Sequence, residues 1–510
     1  MNQETQMTKS QNPDHIPLKE KIFYGAGAMM DGGGVALMSC IMLAYMNKAL
    51  GIAAGIASTI MMVAKFWDAI TDPVMGIISD NTRSKYGRRK PYMVVGGVLL
   101  ILALFLLFAP INTWGFSLSA KIAWVLIMYL VWNTCSTITQ VPYTSMSSDI
   151  SPDFKERNNA NTIKLVFSAL ASGLSYILPL LFLESLLKSV NNSDANTFFG
   201  AMSPVKFWLV LCITFGIMFG GGLILCGLGT KERVKVPHDA EKTKINIKTF
   251  FKSYVEPFKN KSFKWHIVMY VTAFMCMDII SALAAYYALD VWHGQMLFGK
   301  SFSAMYIVAP LMVAAVLAFP LARVMMDKKS KQFAFRMGLP FYIIGGIMLA
   351  VMDPTWAPPI LVPIVAFIMG LGFGGAQMMP WIIFPDTIDV AELKTGIRPT
   401  GNYSGIMTLV RKIAGALGVG MVGWVLSGVG YQQIEGQNII QTPEVLLTIR
   451  LLMGLSIVVL ITIAFWGSFR YKVNNKKLTR IRYLVEKERS EEGLNSEELE
   501  EKENLIKELA

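Results

Sequence analysis

The chain has 510 residues, 53% of them hydrophobic and only 16% charged, where a soluble domain carries roughly 25% charged residues. The net charge of +12 does not point to nucleic acid, because no basic face comes with an aromatic or motif platform. Five cysteines (Cys40, Cys135, Cys212, Cys226 and Cys276) sit inside apolar stretches without CxxC spacing, which excludes a disulfide or metal framework as the organising feature.

Residues 1–17 are polar, within an N-terminal segment 1–20 expected to be cytoplasmic, and the first apolar block is too long and too interrupted by glycine to be a cleavable leader. The apolar blocks that follow are each close to the ~20 residues a helix needs to cross hydrocarbon. Lipid offers backbone N–H and C=O groups no partner, so continuous apolar runs are read as membrane-spanning helices. Twelve are predicted, at 21–47, 52–79, 91–110, 120–149, 160–186, 206–229, 265–291, 301–325, 333–353, 357–388, 400–429 and 445–468.

Basic residues gather in alternate loops. Arg83, Lys85, Arg88, Arg89 and Lys90 come first, then Lys155 and Arg157, Lys231, Arg233 and Lys235, Lys328, Lys329 and Lys331, and finally Lys394 and Arg398. The intervening loops near 111–119, 292–299 and 354–356 contain no lysine or arginine. By the positive-inside rule the basic loops and both termini are predicted to be cytoplasmic. The polar segment 230–264 acts as a cytoplasmic linker between two sets of six spans, 21–229 and 265–469. The expected fold is therefore an all-α membrane protein of two six-helix bundles, the major facilitator arrangement.

Within the linker, Phe250, Phe251, Tyr254 and Phe258 with Lys248, Lys252 and Lys259 fit either a short interfacial helix or a solvated segment. The tail 470–510 begins with Lys476, Lys477, Arg480 and Arg482 and continues into the acidic run Glu497 to Glu503. It reads as a cytoplasmic helix whose basic part meets anionic headgroups, either passive or partner-binding.

A charge at the centre of a span costs ~2.5–3.5 kcal/mol even on the lenient insertion scale, so each needs a purpose. Span two reads Lys65-Phe66-Trp67-Asp68-Ala69-Ile70-Thr71-Asp72-Pro73. Asp68 and Asp72 are four apart and share one helical face. Two dry carboxylates there repel unless a cation lies between them. Carboxylate and hydroxyl oxygens, with Thr71 nearby, suit a small hard cation such as sodium. Pro73 frees a backbone carbonyl of the preceding turn. The alternative is a structural ion pair with Lys65 or a base from another span. Arg411 and Lys412 in span eleven supply the opposite sign. Lys164 fits a site or a snorkelling side chain; Asp31, beside Gly32-Gly33-Gly34, fits a site or a cap on a kink. Asp278 in span seven has no obvious companion.

At these residues the sequence resembles the glycoside–pentoside–hexuronide cation symporters, the family of the sodium/melibiose symporter. The carriers of the resemblance are Trp67 through Gly76 and Asp80 through Pro91, and a second block runs from Pro380-Trp381 through Pro385-Asp386, Asp389, Lys394-Thr395-Gly396, Arg398 and Gly401. Tyr24-Gly25, Pro142-Tyr143 and Lys412 also fall in place. The resemblance implies that Asp68, Asp72, Thr71 and Thr137 hold the cation. It places Asp31, Gln140, Lys164, Trp381, Arg411 and Lys412 at the substrate, Lys412 coupling cation to sugar. It sets Arg83, Arg88 and Arg89 against Asp386, Asp389 and Glu392 as a cytoplasmic gate.

Two departures matter. Gln140 stands where the sodium/melibiose symporter has an aspartate that holds sugar hydroxyls, and the span-one aspartate position falls on Gly32 if no gap is placed, with Asp31 one residue earlier. An amide both donates and accepts and carries no charge. Losing negative charge while keeping Lys164, Arg411 and Lys412 favours an anionic sugar, a hexuronide or sulfo-sugar. The expected function is cation-coupled (sodium or proton) sugar symport across the cytoplasmic membrane by a monomer without a cofactor. A lysolipid-type carrier or a non-transporting sensor would use the same fold. No HExxH or GxSxG motif supports an enzyme.

Overall fold

The structure is a computed structural model and describes residues 15–151, 153–190, 197–233, 255–396, 400–436, 439–489 and 494–510. Twelve long helices are found among these residues: α1 (Leu18–Ala49), α2 (Ala54–Asn81), α3 (Lys90–Leu107), α4 (Leu118–Asp149), α5 (Phe154–Val190), α6 (Pro204–Gly229), α7 (Lys261–Val291), α8 (Met305–Lys328), α9 (Lys331–Val351), α10 (Leu361–Thr395), α11 (Thr400–Gly428) and α12 (Pro443–Arg470). Eleven are long and apolar enough to cross a membrane by length and composition. The exception is α2, the helix with Lys65, Asp68 and Asp72 at its centre.

The chain divides into two compact units, Met1–Ile245 with Gly299–Ser301 and Tyr431–Ile439, and Asn246–Phe298 with Phe302–Gly430 and Ile440–Ala510. The N-terminal unit holds α1–α6 and the C-terminal unit α7–α12, as the two predicted bundles require. Inside each unit the same neighbours recur. The first helix packs on the fifth and sixth, the second on the fourth, and the third on the fourth and sixth. The first helix of each unit also ends in a five-residue π-helical turn, Tyr45–Ala49 in α1 and Tyr287–Val291 in α7.

Some boundaries differ from the sequence reading. Helix α7 begins at Lys261 because Asn260 caps it, its side chain accepting from the Phe263 N–H at 3.1 Å. Helix α10 runs on to Thr395 and keeps Asp386, Asp389 and Glu392 buried within it. In the linker, Phe258 and Lys259 belong to a short 3-10 turn, Glu256–Lys259. The other residues named for an interfacial helix (Lys248, Phe250, Phe251, Lys252 and Tyr254) lie outside the described residues, as do Lys235 and Arg398.

The tail forms two helices rather than one, α13 (Asn475–Arg489) and α14 (Ser496–Leu509), and both pack on α10. Helix α13 buries Leu478, Ile481 and Leu484. Helix α14 starts in a capping box of Asn495 and Glu498. At its other end Ser262 Oγ donates to Leu509 O at 2.6 Å and Lys261 Nζ to Lys507 O at 2.7 Å. Three of the four basic side chains read as headgroup contacts have protein partners: Arg480 with Glu501 at 2.7 Å, Lys477 with Glu508 at 2.6 Å and Arg482 with Asp389 at 2.8 Å.

Candidate transport site

In the N-terminal unit the acids of α2 face α4. Asp68 is buried and Asp72 half-buried one turn on. Thr137 Oγ1 donates to Asp72 Oδ1 at 2.8 Å, and the Thr71 and Thr137 hydroxyls are 3.4 Å apart. Trp67 Nε1 closes the same seam on Thr134 Oγ1 at 2.9 Å. The crossing thus joins the Asp72 carboxylate to two hydroxyls, with Asp68 one turn earlier on α2, and Pro73, lacking an N–H, leaves the carbonyl four residues earlier without its helical donor. These are hard oxygen donors with an excess of negative charge, the donor set a small cation takes. Of the four residues assigned to the cation by resemblance, Asp72, Thr71 and Thr137 come together here, and Asp68 lies buried one turn earlier on α2. Gln140 lies half-buried on α4, three residues past Thr137.

Asp31 and Lys164 also meet, linking α1 to α5 at 3.5 Å, with the ammonium 4.8 Å above the Tyr143 ring. The close approach of these helices requires Gly32: a Cβ there would lie 2.5 Å from the Ser168 carbonyl. Lys164 is therefore directed to a carboxylate within its own unit.

In the C-terminal unit Arg411 and Asp278 form a two-pronged pair between α11 and α7, Nη1 to Oδ2 at 2.5 Å and Nη2 to Oδ1 at 2.9 Å. The guanidinium also lies 5.2 Å from the Phe274 ring centroid. Asp278, without a companion in the sequence, is thus the partner of Arg411. Trp381 projects from α10, 55% exposed, packed edge-on against Tyr270 at 5.5 Å and Phe274 at 6.4 Å. Lys412 is half-buried beside Arg411 on α11.

Each set of proposed gate residues has partners inside its own unit. Arg89 bonds Ser79 and Asp80, and Arg83 Nη1 donates to the Asp80 carbonyl at 2.7 Å. Glu232 accepts from the Arg88 and Arg89 N–H groups at 2.9 and 2.8 Å, holding the start of α3. Asp386 is met by Lys331 at 2.6 Å and Asp389 by Arg482 at 2.8 Å, while Glu392 is buried nearby on α10. Lys331 and Arg482 carry no site role in the sequence reading, where they serve topology and the tail. The one local signal is that buried acids three residues apart need bases.

Residues 23–475 match a family described as MFS/sugar transport protein. Among curated proteins, an uncharacterized symporter of Synechocystis is 24% identical over 508 residues, covering 86% of this chain and 91% of its own. The glucuronide carrier protein homolog of Escherichia coli is 22% identical and covers 90% and 93% respectively. A putative sulfoquinovose importer of Salmonella typhimurium is 26% identical, at 91% and 92%. Among solved structures, a bacterial homologue of the lysosomal transporter Spinster superposes with TM-score 0.58 at 15% identity, over 89% of this chain and 96% of that one. The nucleoside transporter NupG gives TM-score 0.54 at 14% identity, over 89% and 99%. Those two likenesses establish the major facilitator fold and nothing about substrate. With that fold, charged residues set into membrane helices and a family match over nearly the whole chain, this protein belongs to the MFS/sugar transport family and is a multi-pass membrane transporter, not an enzyme.

Proposed function

We propose that the protein is a cation symporter that imports an anionic sugar, a hexuronide or sulfo-sugar, across the cytoplasmic membrane, with sodium as coupling ion and both termini inside. The observation that carries this reading is the α2–α4 seam, where Asp68 and Asp72 stand one turn apart and Thr137 donates to Asp72 at 2.8 Å. A cation entering among these oxygens cancels the repulsion of two carboxylates in a medium that cannot screen them. The sugar sits at Asp31, Gln140, Lys164, Trp381, Arg411 and Lys412, the aromatic offering a stacking face and the bases an anion's counter-charge. Cation and sugar stabilise the same loaded state, so each raises the other's affinity by the same factor. The relatives named a glucuronide carrier protein homolog and a putative sulfoquinovose importer support the anionic class, as does the neutral Gln140 where the sodium/melibiose symporter has an acid. The monomer suffices, and the coupling ion is the only inorganic species required.

Purified protein in liposomes tests this with a panel of a glucuronide, a sulfo-sugar and a neutral glycoside, each with and without an inward sodium gradient. Accumulation of the anionic sugars only under the gradient is expected. Uptake of the neutral glycoside but of neither anion would sink the substrate class; uptake indifferent to sodium and proton gradients would sink symport itself.

A further inference from the structure

The Asp278–Arg411 pair is built asymmetrically. The Asp278 side chain is 6% exposed and that of Arg411 20%, so the acid stands behind and the base in front. Both guanidinium Nη groups are fixed on the two carboxylate oxygens, and the guanidinium also lies against the Phe274 ring. The fork is thereby fixed in position and plane together, which a single contact would not achieve.

Room for this arrangement comes from Gly415, one turn further along α11. A Cβ there would fall 2.6 Å from Asp278 Oδ2 and 2.8 Å from Arg411 Nη1, so the ion pair occupies the volume of a missing side chain. The neighbouring aromatics Tyr270 and Phe274 also brace Trp381, whose indole is 55% exposed. A partly exposed arginine on a membrane helix faces protein or a water-filled cavity, because facing lipid is too costly. A pair serving packing alone would be matched or bettered by apolar residues of the same volume.

We infer that Asp278 is the positioning residue for Arg411, and that this pair, beside the Trp381 face, forms the subsite that selects the acidic group of the sugar. The inference rests on the symport reading above and assigns its selectivity to the C-terminal unit. Asp278 contributes through Arg411: it holds the fork in place and offsets its charge when no substrate is bound. The guanidinium then meets a carboxylate or sulfonate, whose charge Asp278 moderates without cancelling the donors' direction.

The test compares two nearly isosteric probes, 4-nitrophenyl β-glucuronide and 4-nitrophenyl β-glucoside, in sodium-driven uptake by proteoliposomes, with KM and maximal rate measured for each. D278N/R411Q removes both charges together, so that neither is left buried without its counter-charge. The ratio of the glucuronide KM to the glucoside KM should rise by about tenfold or more, as for loss of a charge-assisted hydrogen bond. In Asp278→Glu both charges remain but the fork is displaced by a methylene. That ratio should rise again, whereas a mere charge partner would leave it at its wild-type level. Unchanged ratios in both variants, or KM values that move together for the two probes, would overturn the assignment while leaving symport intact. Wild-type protein that takes up neither probe under sodium or proton gradients would instead overturn the transport reading, and this assignment with it.

Discussion

The second helices of the two units, α2 and α8, occupy the same place in the same scheme of neighbours, each packed on its unit's fourth helix. Yet their seams are made of different material. Helix α8 has no charged residue before Arg323, and it meets α10 through small residues. A Cβ on Gly370 would lie 2.7 Å from the Ala314 Cβ, and one on Gly374 would be 2.5 Å from the Ala315 carbonyl. Helix α2 meets α4 through Trp67–Thr134, Thr71–Thr137 and Thr137–Asp72. Close packing at this crossing is therefore achieved without polar groups in one unit. The carboxylates and hydroxyls in the other unit are not what the fold demands, and chemistry is what remains to explain them.

The largest effect should come from making α2 more like α8. Asp68→Cys removes one carboxylate from the seam, so sodium-driven accumulation of substrate should fall to that of protein-free liposomes, while the helix becomes more apolar and the protein still inserts. Measured uptake against a gradient decides this. An Asp68→Cys protein that still concentrates substrate in response to sodium or protons would remove the cation site from α2.

A second contrast concerns the ion pairs that join the first and fifth helices. Asp278 and Arg411 make two bonds and are nearly enclosed, whereas Asp31 and Lys164 meet once at 3.5 Å with Asp31 34% exposed. Removing one partner of an enclosed pair costs about 3–5 kcal/mol, since the other is left charged and desolvated. A single, longer contact whose acid is a third exposed is worth less, because water reaches the carboxylate and screens it. Asp278→Ala should thus lower the thermal stability of the detergent-solubilised protein far more than Asp31→Ala. Equal shifts for the two variants would mean that burial does not distinguish the pairs.

Much of this is legible in the sequence, for physical reasons. A span must be apolar, so Lys65, Asp68 and Asp72 stand out against their own helix, and a four-residue spacing by itself puts the two acids on one face. Thr137 is reached only through the family resemblance. What periodicity cannot supply is the identity of a neighbour 133 residues away: it shows that Asp278 is buried, and only the packing of α7 on α11 shows that Arg411 is its partner. The tail departs from its sequence reading for the same reason. A basic stretch after a membrane helix suits headgroups and protein carboxylates equally well, and Asp386 and Asp389 become visible to Arg482 only once α13 folds back onto α10.

The smallest effect belongs to the contact between the two tail helices, where charge rather than apolar area sets the response to pH. Lys487 reaches Glu498 at 2.8 Å. The hydrogen bond from Lys487 brings the Glu498 carboxyl from its ordinary 4.5 down to about 2, and the same bond raises Lys487 above its ordinary value. A depressed carboxyl favours the folded contact above its ordinary pKa and loses that contribution as pH falls through the depressed one. The raised lysine does the reverse, contributing below its ordinary value and losing it only in strong alkali. The contact between α13 and α14 is therefore whole across neutral pH and loosens between about pH 4.5 and 2. Energy transfer between labels on α13 and α14 should stay constant from pH 8 to about 5 and decline below that. Glu498→Gln should show the loosened value already at neutral pH. A variant whose transfer at neutral pH equals wild type would mean that the Arg480–Glu501 and Lys477–Glu508 pairs suffice to join the two helices, and that the Lys487–Glu498 pair is incidental.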